Sequence, residues 1–295
     1  MFQIISDGSC DLTPEQLEAA GVVTVPFYVM LDGKTFQKEG TEISVHDFFE
    51  YCINHPECCP RTSMPSVQDF VDVFTPYLEQ GTDILCYCIS KRLSGSFNSA
   101  MAAKELLQEK YPDRDIRVTD STLVTGLLGV FLMELSDYAR KGHTIQETWE
   151  RGEEIKKNAV IYFTIEDLRY LAKGGRIGKV TELAARSLSI RPVICFRDGE
   201  LYPVGISVGR KQSFIRLSKM FMKDFCERTS DISKFNYGFG WGSDRQEAEP
   251  CFKHVEALMK ETFGRCPDFV PIQLGATIGT HTGPYPVGLG FIEKA

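Results

Sequence analysis

The feature that most constrains this chain is a regular alternation of short apolar, β-branched runs with capped segments of helical period. Residues 2–6 form the first run. Thr13-Pro14-Glu15-Gln16 then reads as a capping box with proline at the first helical position, and Gly21 closes that helix. Ser44 opens a helix to about residue 55, and Ser66 opens another over 67–80. Residues 83–90 read as a strand buried on both faces, and a polar loop, 91–96, leads into a helix over about 97–110. A strand at 116–119 and helices over about 127–140 and 144–157 follow. Strands and helices in this order build an α/β fold around a parallel sheet. Residues 22–31 are β-rich and end in the hairpin signal Asp32-Gly33, so a small antiparallel excursion is expected over about 22–62.

At 295 residues the chain fits two domains better than one. Composition changes near residue 165, where the glycine-rich, basic stretch Lys173-Gly174-Gly175-Arg176-Ile177-Gly178-Lys179 begins the second half. Beyond it come strands over 191–196 and up to about 208, joined at Asp198-Gly199, then helices over 211–226 and 245–263. Further strands are expected near Tyr237, over 270–274 and over 287–292, and 160–164 is also a strand. The expected organisation is a Rossmann-like α/β domain over 1–164 and a two-layer α/β domain over 165–295.

Several function classes are excluded early. The net charge of −7 argues against a nucleic-acid partner or an anionic membrane surface, both of which favour basic proteins. The longest apolar stretch, 123–133, falls short of the roughly 20 residues a membrane span needs and reads as a buried helix. The N-terminus has no basic region and no long apolar core, so it reads as a strand in a cytoplasmic protein. In that compartment the ten cysteines are expected as free thiols. None has zinc-ribbon spacing, and no metal or cofactor is expected.

Three short motifs can carry chemistry. Ser94-Gly95-Ser96 lies between a strand end and a helix start, where ligands of open α/β sheets bind and where unpaired N–H groups suit an anion. Either serine can also serve simply as the helix cap. Thr62-Ser63-Met64-Pro65-Ser66 is a second hydroxyl-rich loop before a helix. Gly279-Thr280-His281-Thr282-Gly283-Pro284 reads as a tight turn presenting a histidine between glycines after an apolar strand. The 173–179 stretch fits neither Walker A nor G-x-G-x-x-G spacing. It reads as a helix end and turn, or as a basic docking patch with Arg169, Arg176, Lys179, Arg186 and Arg191.

Taken in order, Ser-Asp-Gly-Ser-Cys-Asp-Leu, Thr-Ser-Met-Pro-Ser, Leu-Ser-Gly-Ser-Phe-Asn-Ser-Ala, Tyr-Leu-Ala-Lys-Gly-Gly-Arg-Ile, Asp-Gly-Glu-Leu-Tyr-Pro-Val-Gly and Ile-Gly-Thr-His-Thr-Gly-Pro resemble the DegV family over essentially the whole chain. The resemblance implies two α/β domains enclosing one long-chain fatty acid in a tunnel between them. It implies a non-catalytic, acyl-binding subunit that presents the carboxylate to a separate ATP-binding fatty acid kinase, whose acyl phosphate feeds phospholipid synthesis. By position, the carboxylate-holding residues fall on Thr62, Ser94, Gly95 and His281, with Arg210 as a further basic position, and Arg176 falls on a kinase-docking position. The chain departs from the family at Met64, where Gln is common, at Ser96-Phe97-Asn98 in place of Thr-Tyr-Gln, and at Tyr285-Pro286-Val287 in place of a Gly-Ala-Leu-like run. These changes bear on pocket shape and so on acyl-chain preference.

The physics of such a site is asymmetric. Each methylene removed from water contributes about 0.8 kcal/mol, whereas a buried carboxylate needs partners. Two hydroxyls, a backbone N–H and a histidine would supply them. Two other readings use the same residues: a serine hydrolase with Ser94 as nucleophile and His281 as base, and a non-enzymatic lipid sensor. The hydrolase lacks G-x-S-x-G and a marked acidic orienter.

Overall fold

The computed structural model describes residues 2–180 and 190–295. Its first layer is a four-stranded, all-parallel sheet. Strands β1 (Phe2–Asp7), β2 (Val22–Val25), β6 (Asp83–Cys88) and β7 (Ile116–Asp120) lie in the order β2-β1-β6-β7. Ile4 pairs with Val22 on one side and with Leu85 on the other. Chain order reverses between β1 and β6, so a crevice opens at their carboxyl ends. There the Asp7 carboxylate accepts the Ile89 N–H at 2.9 Å and ties the two strand ends together. The helices are α1 (Pro14–Ala20), α3 (Val67–Glu79), α4 (Ser96–Lys110), α5 (Thr125–Arg140) and α6 (Ile145–Ile155). Capping boxes at Thr13, Ser66 and Thr144 set the starts of α1, α3 and α6.

The antiparallel excursion is a separate three-stranded sheet, β4-β3-β5, made of β3 (Tyr28–Met30), β4 (Gln37–Lys38) and β5 (Arg61–Ser63). It packs on α2 (Val45–Asn54) through Val29, Ile43, Phe48 and Phe49. Its start corrects the sequence reading. Residues 22–25 belong to the parallel sheet, and only the chain beyond Pro26, which cannot donate to a ladder, joins the small one.

The third sheet has six strands in the order β10-β9-β8-β13-β11-β12. They are β8 (Val160–Thr164), β9 (Ile190–Arg197), β10 (Glu200–Val208), β11 (Phe235–Trp241), β12 (Phe269–Gln273) and β13 (Val287–Glu293). All pairs are antiparallel except β11 with β12. Residues 160–164, read above as the end of the first half, therefore pair with β13 and β9 of the later sheet. The composition change near 165 marks the loop after this strand, whereas sheet membership is set by pairing. Short α7 (Arg169–Lys173) follows β8, and α8 (Arg210–Arg228) and α9 (Arg245–Phe263) cover one face of the six-stranded sheet.

The other face meets α5. Leu127, Leu128, Phe131, Leu132 and Leu135 form one cluster with Ile4, Leu85 and Tyr87 of the parallel sheet and with Ile161, Ile194 and Phe196 of the six-stranded one. A helix apolar on all sides can sit between two sheets in this way. Among the described residues no helix is long and apolar enough to cross a membrane.

The last helix, α10 (Ala276–Thr282), replaces the tight turn expected around His281. The Thr280 and Thr282 hydroxyls donate to the carbonyls of Ala276 and Ile278 at 2.9 and 3.1 Å, keeping their hydrogen bonds inside the helix. Of the two flanking glycines only Gly283 has a positive φ, +78°, which favours glycine, and it ends the helix.

Candidate functional site

A cavity of about 360 Å³ lies where α5, the six-stranded sheet, the small sheet and α10 meet, within the roughly 300–1,000 Å³ typical of small-molecule sites. Its wall is mostly apolar and includes Leu127, Ile161, Phe163, Phe196 and Ile272. The sequence-predicted residues among its polar lining come from four separate places: Thr62 from β5, Ser94 and Gly95 from the loop just before α4, Arg176 from the turn after α7, and His281 from α10; Ser63, Thr125, Thr277 and Thr282 also line it.

Thr62 and His281 touch directly. Thr62 Oγ1 and His281 Nε2 are 3.1 Å apart, across 219 residues of sequence. The imidazole is half-buried, and burial together with the nearby Arg176 charge pushes its pKa down to about 4. It is therefore neutral at pH 7 and has one N–H to give. Its Nδ1 has no partner. Gly174 explains why: a Cβ there would lie 2.0 Å from Nδ1, so only glycine lets the turn pack against the ring.

The start of α10 is held from outside the helix. The cap residue Gly275 has no side chain, and Glu39, just past β4, accepts the N–H groups of Ala276 and Thr277 at 2.5 and 3.1 Å. The small sheet thus grips α10 at both ends, through Glu39 and through Thr62. Asp11 lies beside Glu39 on the same side of Gly275, its Oδ2 accepting the Thr125 hydroxyl. Burial pushes both the Asp11 and the Glu39 carboxyls up. Nothing in local sequence marks Glu39 as a cap for a helix some 240 residues away. Asp11 belongs to a quoted motif that by itself names no role.

Ser94 stands just before the helix and in the cavity wall. Its Oγ accepts the Ser96 N–H at 3.2 Å, and its own O–H lies in the cavity wall, free to donate. The Met64 side chain covers Gly95, with Sδ only 2.6 Å from where a Cβ would sit, and remains 45 % exposed at the cavity lip.

Arg176 lines the cavity while remaining exposed, and Arg210 lies outside it. Arg176, expected on a docking surface, lines the cavity, donating from Nε to the Leu93 carbonyl at 3.0 Å and from Nη1 to the Gly174 carbonyl at 2.5 Å. Arg210, expected at the carboxylate, is not in the cavity wall. Its guanidinium forks onto Glu247 at 2.6 and 2.7 Å and reaches the Tyr285 carbonyl. A fork of this kind neutralises the arginine's charge where it stands, although its buried Nη1 has no hydrogen-bond partner. The surrounding basic cluster is also paired locally: Arg169 with Asp167, Lys179 with Glu200, and Arg191 with Glu166. Arg186 lies outside the described residues.

The sequence matches the model described as "Uncharacterised protein, DegV family" over residues 1–294. The chain belongs to the DegV family. A DegV domain-containing protein of Clostridium perfringens is 32% identical over 286 residues, covering 96% of this chain and 94% of the relative. Among solved structures, a stearic-acid-binding protein from Eubacterium ventriosum is 34% identical, superposes with a TM-score of 0.93, and is covered to 99% by 100% of this chain. A DegV protein from Thermus thermophilus described for its fatty-acid binding shares the fold at a TM-score of 0.85 and 24% identity, with 99% of both chains covered.

Proposed function

We propose that this DegV protein binds one long-chain fatty acid in the cavity and presents its carboxylate to a separate ATP-dependent fatty acid kinase. The observation that carries the reading is the Thr62–His281 contact, with Ser94 and Gly95, at the polar end of an otherwise apolar chamber. The apolar wall would take the tail. A neutral imidazole, two hydroxyls and a backbone N–H would take the head without leaving the carboxylate unpaired. The stearic acid bound by the Eubacterium ventriosum relative supports this choice of ligand.

The kinase half of the reading rests on the lip. Met64 and Arg176 are exposed there, and the sequence carries no nucleotide motif of its own. In the reaction a carboxylate oxygen would attack the γ-phosphorus of ATP, the bond to the ADP oxygen would break, and acyl phosphate and ADP would form. Arg176, beside His281, would face the charge added at the head. Reduced cytoplasmic thiols fit the ten free cysteines.

The hydrolase reading loses support from the same geometry. His281 Nε2 is engaged by Thr62, and Nδ1 is packed on Gly174 with no carboxylate to orient it.

Native mass spectrometry of freshly purified protein should show one fatty acid per chain. Ser94→Ala should weaken binding by about 1.5–3 kcal/mol, as for a hydrogen bond to a charged group. Loaded Arg176→Ala protein, given ATP and a family kinase, should lose acyl-phosphate formation more than it loses fatty acid. Repeated preparations free of lipid from lipid-rich cells would sink the reading.

A further inference from the structure

Strands β11 and β13 carry glycine at alternate positions, Gly238 and Gly240 on one, Gly288 and Gly290 on the other. The ladder puts them opposite each other, Gly238 with Gly290 and Gly240 with Gly288. Side chains alternate between faces along a strand, so all four bare one face of the sheet, and all four line the cavity.

Glycine inside a strand marks a bulge, a close backbone or a ligand. The register from Phe235 to Trp241 against Glu293 to Val287 runs without a shift, so there is no bulge. None of the four has a positive φ that would exclude other residues. A Cβ at Gly238 or Gly240 would first meet the ends of the Ile272 and Leu274 side chains, at 3.3 and 3.1 Å. At Gly288 the nearest atom would be Phe163 Cβ at 3.4 Å, and at Gly290 Leu127 Cδ1 and the Val160 carbonyl oxygen, both at 3.3 Å. The side-chain ends can give by a few tenths of an ångström, and only Gly290 has a backbone atom as near. Gly126 is different: its Cβ would lie 2.2 Å from Ile272 Cδ1, and packing alone explains that glycine.

The flanking strands supply walls. Phe163 and Ile161 of β8 stand beside Gly288 and Gly290, and Ile272 of β12 stands beside Gly240. The result is a glycine-floored trough two strands wide, with strands about 4.8 Å apart.

We propose that this trough holds the acyl tail and that the four glycines determine which chains fit. The proposal rests on the fatty-acid reading above and names its selectivity element.

The test offers an equimolar mixture of myristic, palmitic and stearic acids to delipidated wild type and to the double variant Gly238→Ala/Gly290→Ala, with occupancy read by native mass spectrometry. Two methyls on the floor should lower the stearate-to-myristate ratio about tenfold, the loss of roughly two methylenes' worth of burial. An unchanged ratio overturns the assignment, and so does an equal loss of all three acids, which would be packing damage. If that variant does not fold, Gly240→Ala/Gly288→Ala on the neighbouring rung takes its place under the same criteria. A wild type that takes up none of the acids overturns the fatty-acid reading together with the trough. A loaded wild type beside an indifferent variant overturns the trough alone.

Discussion

On the face of the six-stranded sheet turned to α8 and α9, Tyr237, Phe239, Leu289 and Phe291 pack against Phe221, Phe225 and Met259. On the opposite face the same two strands show Gly238, Gly240, Gly288 and Gly290. The difference lies in residue parity alone. One face is filled to hold the fold, and the other is left bare over the cavity. Because parity separates them, a substitution on one face should leave the property of the other nearly untouched.

The largest effect should come from the filled face. Phe225 is fully buried, with the rings of Phe221, Phe235, Tyr237, Phe263 and Phe291 around it at centroid distances of 5.1 to 6.4 Å. Phe225→Ala should cost about 3–5 kcal/mol in denaturant unfolding. The folded fraction should keep the wild-type preference among fatty acids. A changed preference would show that the two faces are coupled and would break the comparison.

A smaller effect is expected at the mouth and depends on pH. Burial and Arg176 hold the His281 pKa near 4 in the folded protein, against 6.5 for the free side chain. Between those values the unfolded chain binds a proton that the folded chain does not, so stability falls as pH drops from 6.5 towards 4. Asp11 and Glu39, with raised pKa values, act in the opposite sense, losing their contribution as pH rises. His281→Gln isolates the histidine. Relative to this variant, the ligand-free wild type should lose about 1–2 kcal/mol between pH 7 and pH 5, allowing for partial solvent screening. Parallel pH curves would mean that the imidazole charges freely where it stands.

The legibility of the molecule follows the same division between local and long-range information. Helix starts at Thr13, Ser66 and Thr144 were readable because a cap and its N–H partner lie three residues apart. The place of Ser94-Gly95 in the cavity wall was readable because clefts of open α/β sheets form where a strand end leads into a helix start. The pairing of 160–164 with β13 was not readable, since partners over 120 residues apart leave no local trace. Nor was the helix around His281, whose three threonines and one glycine disfavour helix until Glu39 caps it from another sheet. The alternating glycines of Tyr237-Gly238-Phe239-Gly240-Trp241 and Val287-Gly288-Leu289-Gly290-Phe291 were in plain view. Their meaning needed the register that sets them opposite one another. Arg210 lies away from the cavity for a related reason: sequence shows a charge but not the carboxylate, here Glu247, that takes it up.

Arg210 gives the smallest expected effect on binding and the sharpest check on this division. It opens α8, sits over the Phe214 ring at 4.6 Å, and spends its guanidinium on Glu247 and the Tyr285 carbonyl. All of these contacts lie away from the cavity wall. Arg210→Ala leaves Glu247 without its cation, and with both side chains partly solvated the pair should be worth about 1 kcal/mol of stability. The fatty-acid Kd should stay within about twofold of wild type, a change below 0.5 kcal/mol. Calorimetry on delipidated protein can resolve that difference. A tenfold weaker Kd would mean that Arg210 swings from Glu247 to the ligand head, and the filled side of the sheet would then reach the mouth after all.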